Sequence, residues 1–277
     1  MIRLQPMDTR FVEIDHTGWG LKWVIQFPEA ITSMNGVTMM WQKICPEWTS
    51  TADNAWGYSW ETTPEYIREQ LGYSQTDGSG NAIHHNFVIG LALEAELSGA
   101  EDRVELSLTL TNRSSSVFYD VVSEGGCLQT RSPDFQDHDE VGRSYVLVGG
   151  RPECMADLHR TTEIRTTYRC DRQDYEREWV NRGEWFWGRS TVEIDCPAIV
   201  GAVSRDRTRS VAIGYQGAPS ASQNADGHHC LHSRPSFGDI APGQSVRRRG
   251  LILLGSDIGD VMGRLYEELG ALDVACS

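Results

Sequence analysis

The segment NADGHHCLHSRPSFGDIAPGQ, residues 224–244, concentrates side chains that can bind a metal ion or move a proton. Four of them fall close together: His228, His229, Cys230 and His232. Because neighbouring residues of a β-strand point to opposite faces, an extended segment places His228, Cys230 and His232 on one face. His229 then faces the other way. The segment therefore predicts either a metal site or a proton-transfer group on one face of a strand.

The metal hypothesis needs a further ligand from another strand, and His84, His85 or His159 could supply it. Imidazole together with an occasional thiolate suits zinc or another divalent transition metal. The simplest such site consists of His228, His232 and His84. The chain has no HxH or HExxH motif, and tandem histidines often match metal patterns by chance. We therefore expect no metal or other cofactor, with a zinc site as the minority alternative.

His232 is the preferred candidate for a general base. It follows Cys-Leu, an apolar pair expected to be buried, and precedes Ser-Arg-Pro, so it is expected at the rim of a sheet beside Arg234. Imidazole titrates near neutral pH and can take a C–H or O–H proton from a substrate. The alternative is that His232 only makes hydrogen bonds at the rim. In that case His228 and His229 lie in solvent, and Cys230 packs inward as a small apolar residue.

A second cluster lies in residues 156–178. Its members are His159, Arg160, Arg165, Tyr168, Arg169 and Tyr175. A His or Tyr base beside an Arg that neutralises a carboxylate could catalyse β-elimination from a uronic acid. The same alternation is also typical of a solvent-exposed sheet face with paired charges, and we favour that interpretation for most of the segment.

Aromatic residues are concentrated in two places. The first 80 residues hold six of the nine tryptophans, and NRGEWFWGRS (181–190) holds Trp185 and Trp187. Residues two apart in a strand share a face, so these two indoles could stack on the apolar C–H face of a sugar. A single tryptophan is still more often a core residue than a binding platform.

Composition excludes some classes of partner. The chain of 277 residues has a formal net charge of −14, which excludes nucleic acid as an expected partner. It has no apolar run of 18 residues, so no membrane-spanning helix is expected. The N-terminus does not resemble a signal peptide, and seven cysteines without a CxxC motif favour free thiols in a reducing cytoplasm. A secreted protein given without its leader stays open, as does a homo-oligomer.

The pattern of apolar residues predicts a mainly β protein. From about residue 86 to 255, segments of period two are bounded by turn residues, and VELSLTLTN (104–112) is the clearest of them. Residues 257–272 predict a C-terminal helix, and residues 63–73 predict a short helix opened by Pro64. Short strands without alternating helices favour an antiparallel β-sandwich. We expect one domain over residues 1–277, with a Trp-rich N-terminal part over residues 1–80.

Two stretches resemble galactose-mutarotase-like β-supersandwich proteins. VELSLTLTNRSSSVFYDVVSEGG resembles the strand, Asn turn and return strand of such domains, and APGQSVRRRGLILL resembles their Pro-Gly turn and final strand. The resemblance implies an acid–base pair, with a His after the Asn turn and a Glu before the Pro-Gly turn. This chain has Tyr119, Glu124 and Cys127 in the first region and His232 in the second. An ordinary aldose epimerase is therefore not expected.

These observations together predict a carbohydrate-active enzyme of epimerase or lyase type, which acts on a sugar or oligosaccharide by His-based proton abstraction. The alternatives are a non-catalytic glycan-binding sandwich and a metal-dependent hydrolase or lyase. The residues expected to act in catalysis are His232, His159, Tyr119 and Tyr168. The residues expected to bind the substrate are Arg160, Arg234, Trp185, Trp187, His84 and His85.

Overall fold

The computed structural model describes residues 1–39, 46–71, 75–76, 82–83, 88–130, 132–137, 141–162, 165–171, 188–225 and 229–275. These residues are mainly β, with two α-helices and a short 3-10 helix. No helix within the described ranges has the length and apolar character needed to cross a membrane.

The strands are numbered in chain order. The first twelve are β1 (Ile2–Pro6), β2 (Phe11–His16), β3 (Leu21–Gln26), β4 (Ala30–Ser33), β5 (Gly36–Met39), β6 (Thr49–Ala52), β7 (Ala55–Glu61), β8 (Gln75–Thr76), β9 (Ala82–Ile83), β10 (Leu91–Gly99), β11 (Arg103–Asn112) and β12 (Phe118–Glu124). The others are β13 (Cys127–Gln129), β14 (Ser144–Val148), β15 (Arg151–Cys154), β16 (Arg165–Arg169), β17 (Gly188–Glu193), β18 (Ile199–Val203), β19 (Ser210–Tyr215), β20 (Ser220–Asn224), β21 (Cys230–Arg234), β22 (Ser236–Ile240) and β23 (Ser245–Gly255).

Two large sheets form the body of the fold. The eight-stranded sheet has the order β1-β2-β3-β13-β21-β20-β16-β17, and the nine-stranded sheet has the order β15-β14-β18-β19-β23-β11-β10-β7-β6. A four-stranded sheet, β22-β12-β4-β5, and the hairpin β8-β9 complete it. All pairs are antiparallel except β16 with β17. The prediction of a mainly antiparallel β-sandwich with a C-terminal helix is confirmed.

The core lies between the two large sheets because each sheet turns one apolar row inward. Leu106 and Leu108 of β11 belong to the same buried cluster as Leu128 and Leu231 of the eight-stranded sheet. Strand β23 (Ser245–Gly255) contains SVRRRGLILL, the part of the sequence that resembles a final strand.

Helix α2 (Ile258–Ala275) covers the outer face of the nine-stranded sheet. Its Val261, Met262, Leu265 and Leu269 are buried against strand residues that include Leu253. This contact explains why the second half of β23 is buried on both faces. Helix α1 (Pro64–Leu71) forms where Pro64 predicts a helix start.

Seven strands of the described residues lie before residue 62, in the part that the sequence pattern describes only as Trp-rich. Trp23 of β3 is 1% exposed and packs in the core, whereas Trp48, Trp56 and Trp60 are partly buried against it. These four indoles therefore act as packing residues.

The eight-stranded sheet has a second face that is polar and yet buried. Leu231 of β21 and Ala221 of β20 point into the core, so their neighbours point away from it. These neighbours include His232, Arg234 and Ser222, all of which are at most 3% exposed. This polar face carries the candidate site.

Replacement of Gly250 by Ala tests the packing of the nine-stranded sheet. Gly250 of β23 pairs with Tyr215 of β19, and an added methyl would overlap the fully buried Tyr215 ring. We expect Gly250→Ala to lower the free energy of unfolding by about 1–3 kcal/mol in urea titrations. Gly263→Ala in α2 is the control: its methyl meets no atom within 4 Å and should stabilise the helix by about 0.5–1 kcal/mol. Equal stability of the two variants would contradict the tight packing of the ring.

Candidate functional site

His232 lies at the centre of the polar face. It is opposite Ser222 of β20, and the pairing of Leu128 with Leu231 places Cys127 of β13 on its other side. Its Nδ1 is 3.3 Å from the Ser222 hydroxyl oxygen, and its side chain is 2% exposed. Two neighbouring strands therefore fix the imidazole, with Nε2 directed at the segment that precedes β4.

Glu29 is the partner of that nitrogen. Its Oε2 lies 3.0 Å from His232 Nε2. The backbone around Glu29 is held from two sides: the buried Arg10 donates to the carbonyl oxygens of Pro28 (2.7 Å) and Glu29 (2.9 Å), and the Glu29 N–H donates to the carbonyl oxygen of Glu124 (2.9 Å). The carboxylate is thus positioned by backbone contacts that do not involve its own oxygens.

A second ion pair lies beside the first. Arg234, two residues after His232 on the same strand face, places Nε 2.7 Å from Oε1 of Glu124. Donor atoms of Glu29, Glu124 and His232 lie within 4.8 Å of one another. The two cationic side chains are almost fully buried, whereas the side chains of Glu29 and Glu124 are 22% and 19% exposed. Because Oε2 of Glu124 is itself buried, Glu29 is the most open member of the cluster.

The charges of the cluster set its protonation. Burial alone would raise the pKa of Glu29, but His232, Arg234 and Arg10 outweigh it and hold that pKa below its ordinary value. Burial alone would lower the pKa of His232, but the adjacent Cys127 and Glu29 outweigh it and raise that pKa. Both shifts therefore favour the pair of an imidazolium with a carboxylate over the neutral pair.

The His232 imidazole also belongs to a second cluster, which could bind a soft metal ion. Donor atoms of Cys127, Cys230 and His232 lie within 4.8 Å of one another, and all three side chains are buried. Two sulfurs and one imidazole match the ligand preferences of zinc. This set shares His232 and Cys230 with the segment that predicts a metal site, but its third member is Cys127. The predicted ligands His228 and His84 lie outside the described residues.

The other predicted catalytic residues lie elsewhere. Tyr168 is fully buried in the core between the sheets, so it faces away from His232. Tyr119 is 52% exposed on β12, and His159 is exposed after the 3-10 helix. Arg160 is half-buried in the same segment as His159. Of the predicted site residues that the structure describes, it brings together His232 and Arg234. The predicted sugar-binding residues Trp185, Trp187, His84 and His85 lie outside the described residues.

The interpretation that places His229 in solvent is wrong. It is 0% exposed, with Nδ1 2.9 Å from the Thr130 hydroxyl and Nε2 2.9 Å from the Ser144 hydroxyl. Because Thr130 follows β13 and Ser144 begins β14, the ring connects the two large sheets. Its opposite orientation from Cys230 follows from strand alternation, as predicted.

Sequence reasoning does not find Glu29 or Arg10. Glu29 follows a Pro in FPEA, and Arg10 precedes β2, and neither position matches a chemical motif. Glu124 and Cys127 occur in the region that resembles a return strand. Nothing in the sequence indicates that they lie beside Arg234 and His232, which follow about 100 residues later. The signal that brings these groups together is the register of β13 with β21 and of β12 with β4.

Comparison with known proteins finds similarity of fold. A galactose mutarotase-like protein from Lactobacillus casei has a TM-score of 0.48 over 92% of this chain and 100% of that chain, at 9% identity. An aldose epimerase homologue from C. elegans has a TM-score of 0.43 over 93% of this chain and 99% of its own, at 6% identity. A polysaccharide lyase has a TM-score of 0.46 at 8% identity, over 96% of this chain and 34% of its own.

The chain is thus structurally similar to galactose-mutarotase-like proteins, as the sequence resemblance predicts. No protein-family model matches it, and no curated protein matches its sequence.

Titration of His232 tests the ion pair. Because Glu29 contributes to raising the pKa of His232, Glu29→Gln should lower that pKa, measured from the imidazole NMR signals. The stability that the pair contributes should be lost as pH rises through the pKa of His232 and as pH falls through that of Glu29. Glu61→Gln, which removes an exposed ion pair with Arg113, is the control and should leave the titration unchanged. An unchanged His232 pKa in Glu29→Gln would refute the pairing.

Proposed function

We propose that this protein is a carbohydrate-active enzyme in which Glu29 is the general base and His232 is its charged partner. The observation that carries the proposal is the cluster of Glu29, Glu124 and His232, with donor atoms within 4.8 Å of one another. Its most open member is Glu29, whose side chain is 22% exposed, whereas His232 is almost fully buried. The pair differs from the sequence-based hypothesis because the carboxylate, and not the imidazole, takes the substrate proton.

The roles follow from the charges. Glu29 is ionised at neutral pH and can accept a proton from a sugar C–H or O–H group. His232 is protonated, so it holds Glu29 in place by an ion pair. Glu124 is held by Arg234 and adds a second negative charge beside Glu29.

A sugar fits this set of groups. Two adjacent carboxylates accept hydrogen bonds but donate none when ionised, so they match a ligand rich in hydroxyl donors. The sequence resemblance to galactose-mutarotase-like proteins points to the same substrate class. Epimerase and lyase reactions both begin with proton removal, and the cluster supplies a base for either.

Proton NMR in D2O tests the proposal with a panel of reducing aldoses and uronate oligosaccharides. Anomer interconversion, loss of a C–H signal or appearance of an alkene signal would each support catalysis and would identify the reaction. Glu29→Gln should slow turnover by about 10²–10⁴-fold, because the general base is removed. His232→Asn should also slow it, whereas Glu61→Gln should leave turnover unchanged.

Two results would overturn the proposal. Line broadening of a glycan without any product would indicate a non-catalytic glycan-binding protein. Stoichiometric zinc in protein purified without a histidine tag, lost in Cys127→Ser, would assign His232 to a metal and not to a proton.

A further inference from the structure

Cys170 and Cys196 lie together at the edge of the eight-stranded sheet. Cys170 directly follows β16, and Cys196 lies in the connection from β17 to β18. The Cys170 sulfur is 3.1 Å from the carbonyl oxygen of Asp195 and 3.6 Å from that of Ala218. The Cys196 sulfur is 3.9 Å from the same Ala218 oxygen. Both thiols therefore converge on one carbonyl group.

The two sulfurs lie near each other. The Cys170 sulfur is 3.6 Å and the Cys196 sulfur 3.9 Å from the same Ala218 oxygen. A disulfide requires the sulfurs to approach to about 2.0 Å. The thiols also contact each other, since a hydrogen bond with Cys196, together with burial, raises the pKa of Cys170.

Access to solvent distinguishes this pair from the other close pair of thiols. Cys127 and Cys230 are each 1% exposed on the polar face. Cys196 is exposed and Cys170 is half-buried. A dissolved oxidant can therefore reach Cys196 without opening the fold, whereas Cys127 and Cys230 are shielded.

We propose that Cys170 and Cys196 are an oxidative modification site that forms a disulfide with hydrogen peroxide or an organic hydroperoxide. Peroxide oxidises the exposed Cys196 thiol to a sulfenic acid, and one water molecule (or the alcohol) leaves. The Cys170 sulfur then attacks the sulfenic sulfur, the S–S bond forms, and the second water leaves with the Cys170 proton. The two thiols lose two electrons and two protons, which the peroxide accepts.

The bond would stabilise the edge of the sheet. Strand β17 is the edge strand, and its neighbour in the sheet is β16. A disulfide between residues 170 and 196 would join the end of β16 to the chain that follows β17. It would also restrict the unfolded chain over the intervening loop. We therefore expect the oxidised protein to melt at a higher temperature than the reduced protein.

Thiol counting after peroxide treatment tests the proposal. Cys45 and Cys276 lie outside the described residues, so both are first replaced by Ser. Hydrogen peroxide should then remove two alkylatable thiols from the folded protein, and dithiothreitol should restore them. Peptide mapping should find residues 170 and 196 in one linked peptide.

Two single-cysteine variants distinguish a disulfide between Cys170 and Cys196 from oxidation of other cysteines. Cys196→Ser should abolish the loss of two thiols and the rise in Tm, and its exposed position makes the folded state tolerant of the change. Cys154→Ser is the matched control: this thiol donates to the Val141 carbonyl, and the variant should behave like the parent. The proposal is wrong if peroxide removes no thiol pair, or if the linked peptide contains Cys127 or Cys230.

Discussion

The ion pair between His232 and Glu29 is the contact on which the candidate site depends. Removing charged groups from water costs several kcal/mol for each ion, and close pairing offsets that cost. The pair is accompanied by Arg234 with Glu124, so two positive and two negative groups balance within one cluster. Loss of one member of a buried pair typically costs about 3–5 kcal/mol, because the remaining charge is left uncompensated. The cluster is therefore stable only as a set.

The sandwich architecture explains how such a polar cluster can be buried. One face of the eight-stranded sheet supplies apolar residues such as Leu231 to the core, and this packing stabilises the strands. Strand alternation then leaves the opposite face free for residues such as His232 and Ser222. The four-stranded sheet brings Glu124 to this face through β12, and its partner β4 begins directly after Glu29. Backbone pairing thus positions both carboxylates.

The sequence predicts elements whose pattern is local and repeated. Strand β23 and helix α2 are found within a few residues of their predicted limits, because long alternating or helical apolar patterns dominate their packing. The orientation of His232 relative to His229 also follows from the local pattern. Glu29 cannot be found in this way, because its role comes from a cross-strand arrangement of segments about 200 residues apart. Tyr168 shows the converse case. The sequence offers it as a catalytic tyrosine, but strand alternation turns its side chain into the core.

The protonation of the pair changes which proton the site is suited to remove. A general base becomes weaker as its pKa falls, and the cations around Glu29 lower its pKa. A weak base removes a hydroxyl proton more readily than a C–H proton, because the hydroxyl is far more acidic. His232 holds the Glu29 carboxylate in position but also stabilises its ionised form, so it does not restore the strength of the base. Within the proposed function, this weakness favours chemistry that begins at a sugar hydroxyl over elimination that begins at carbon.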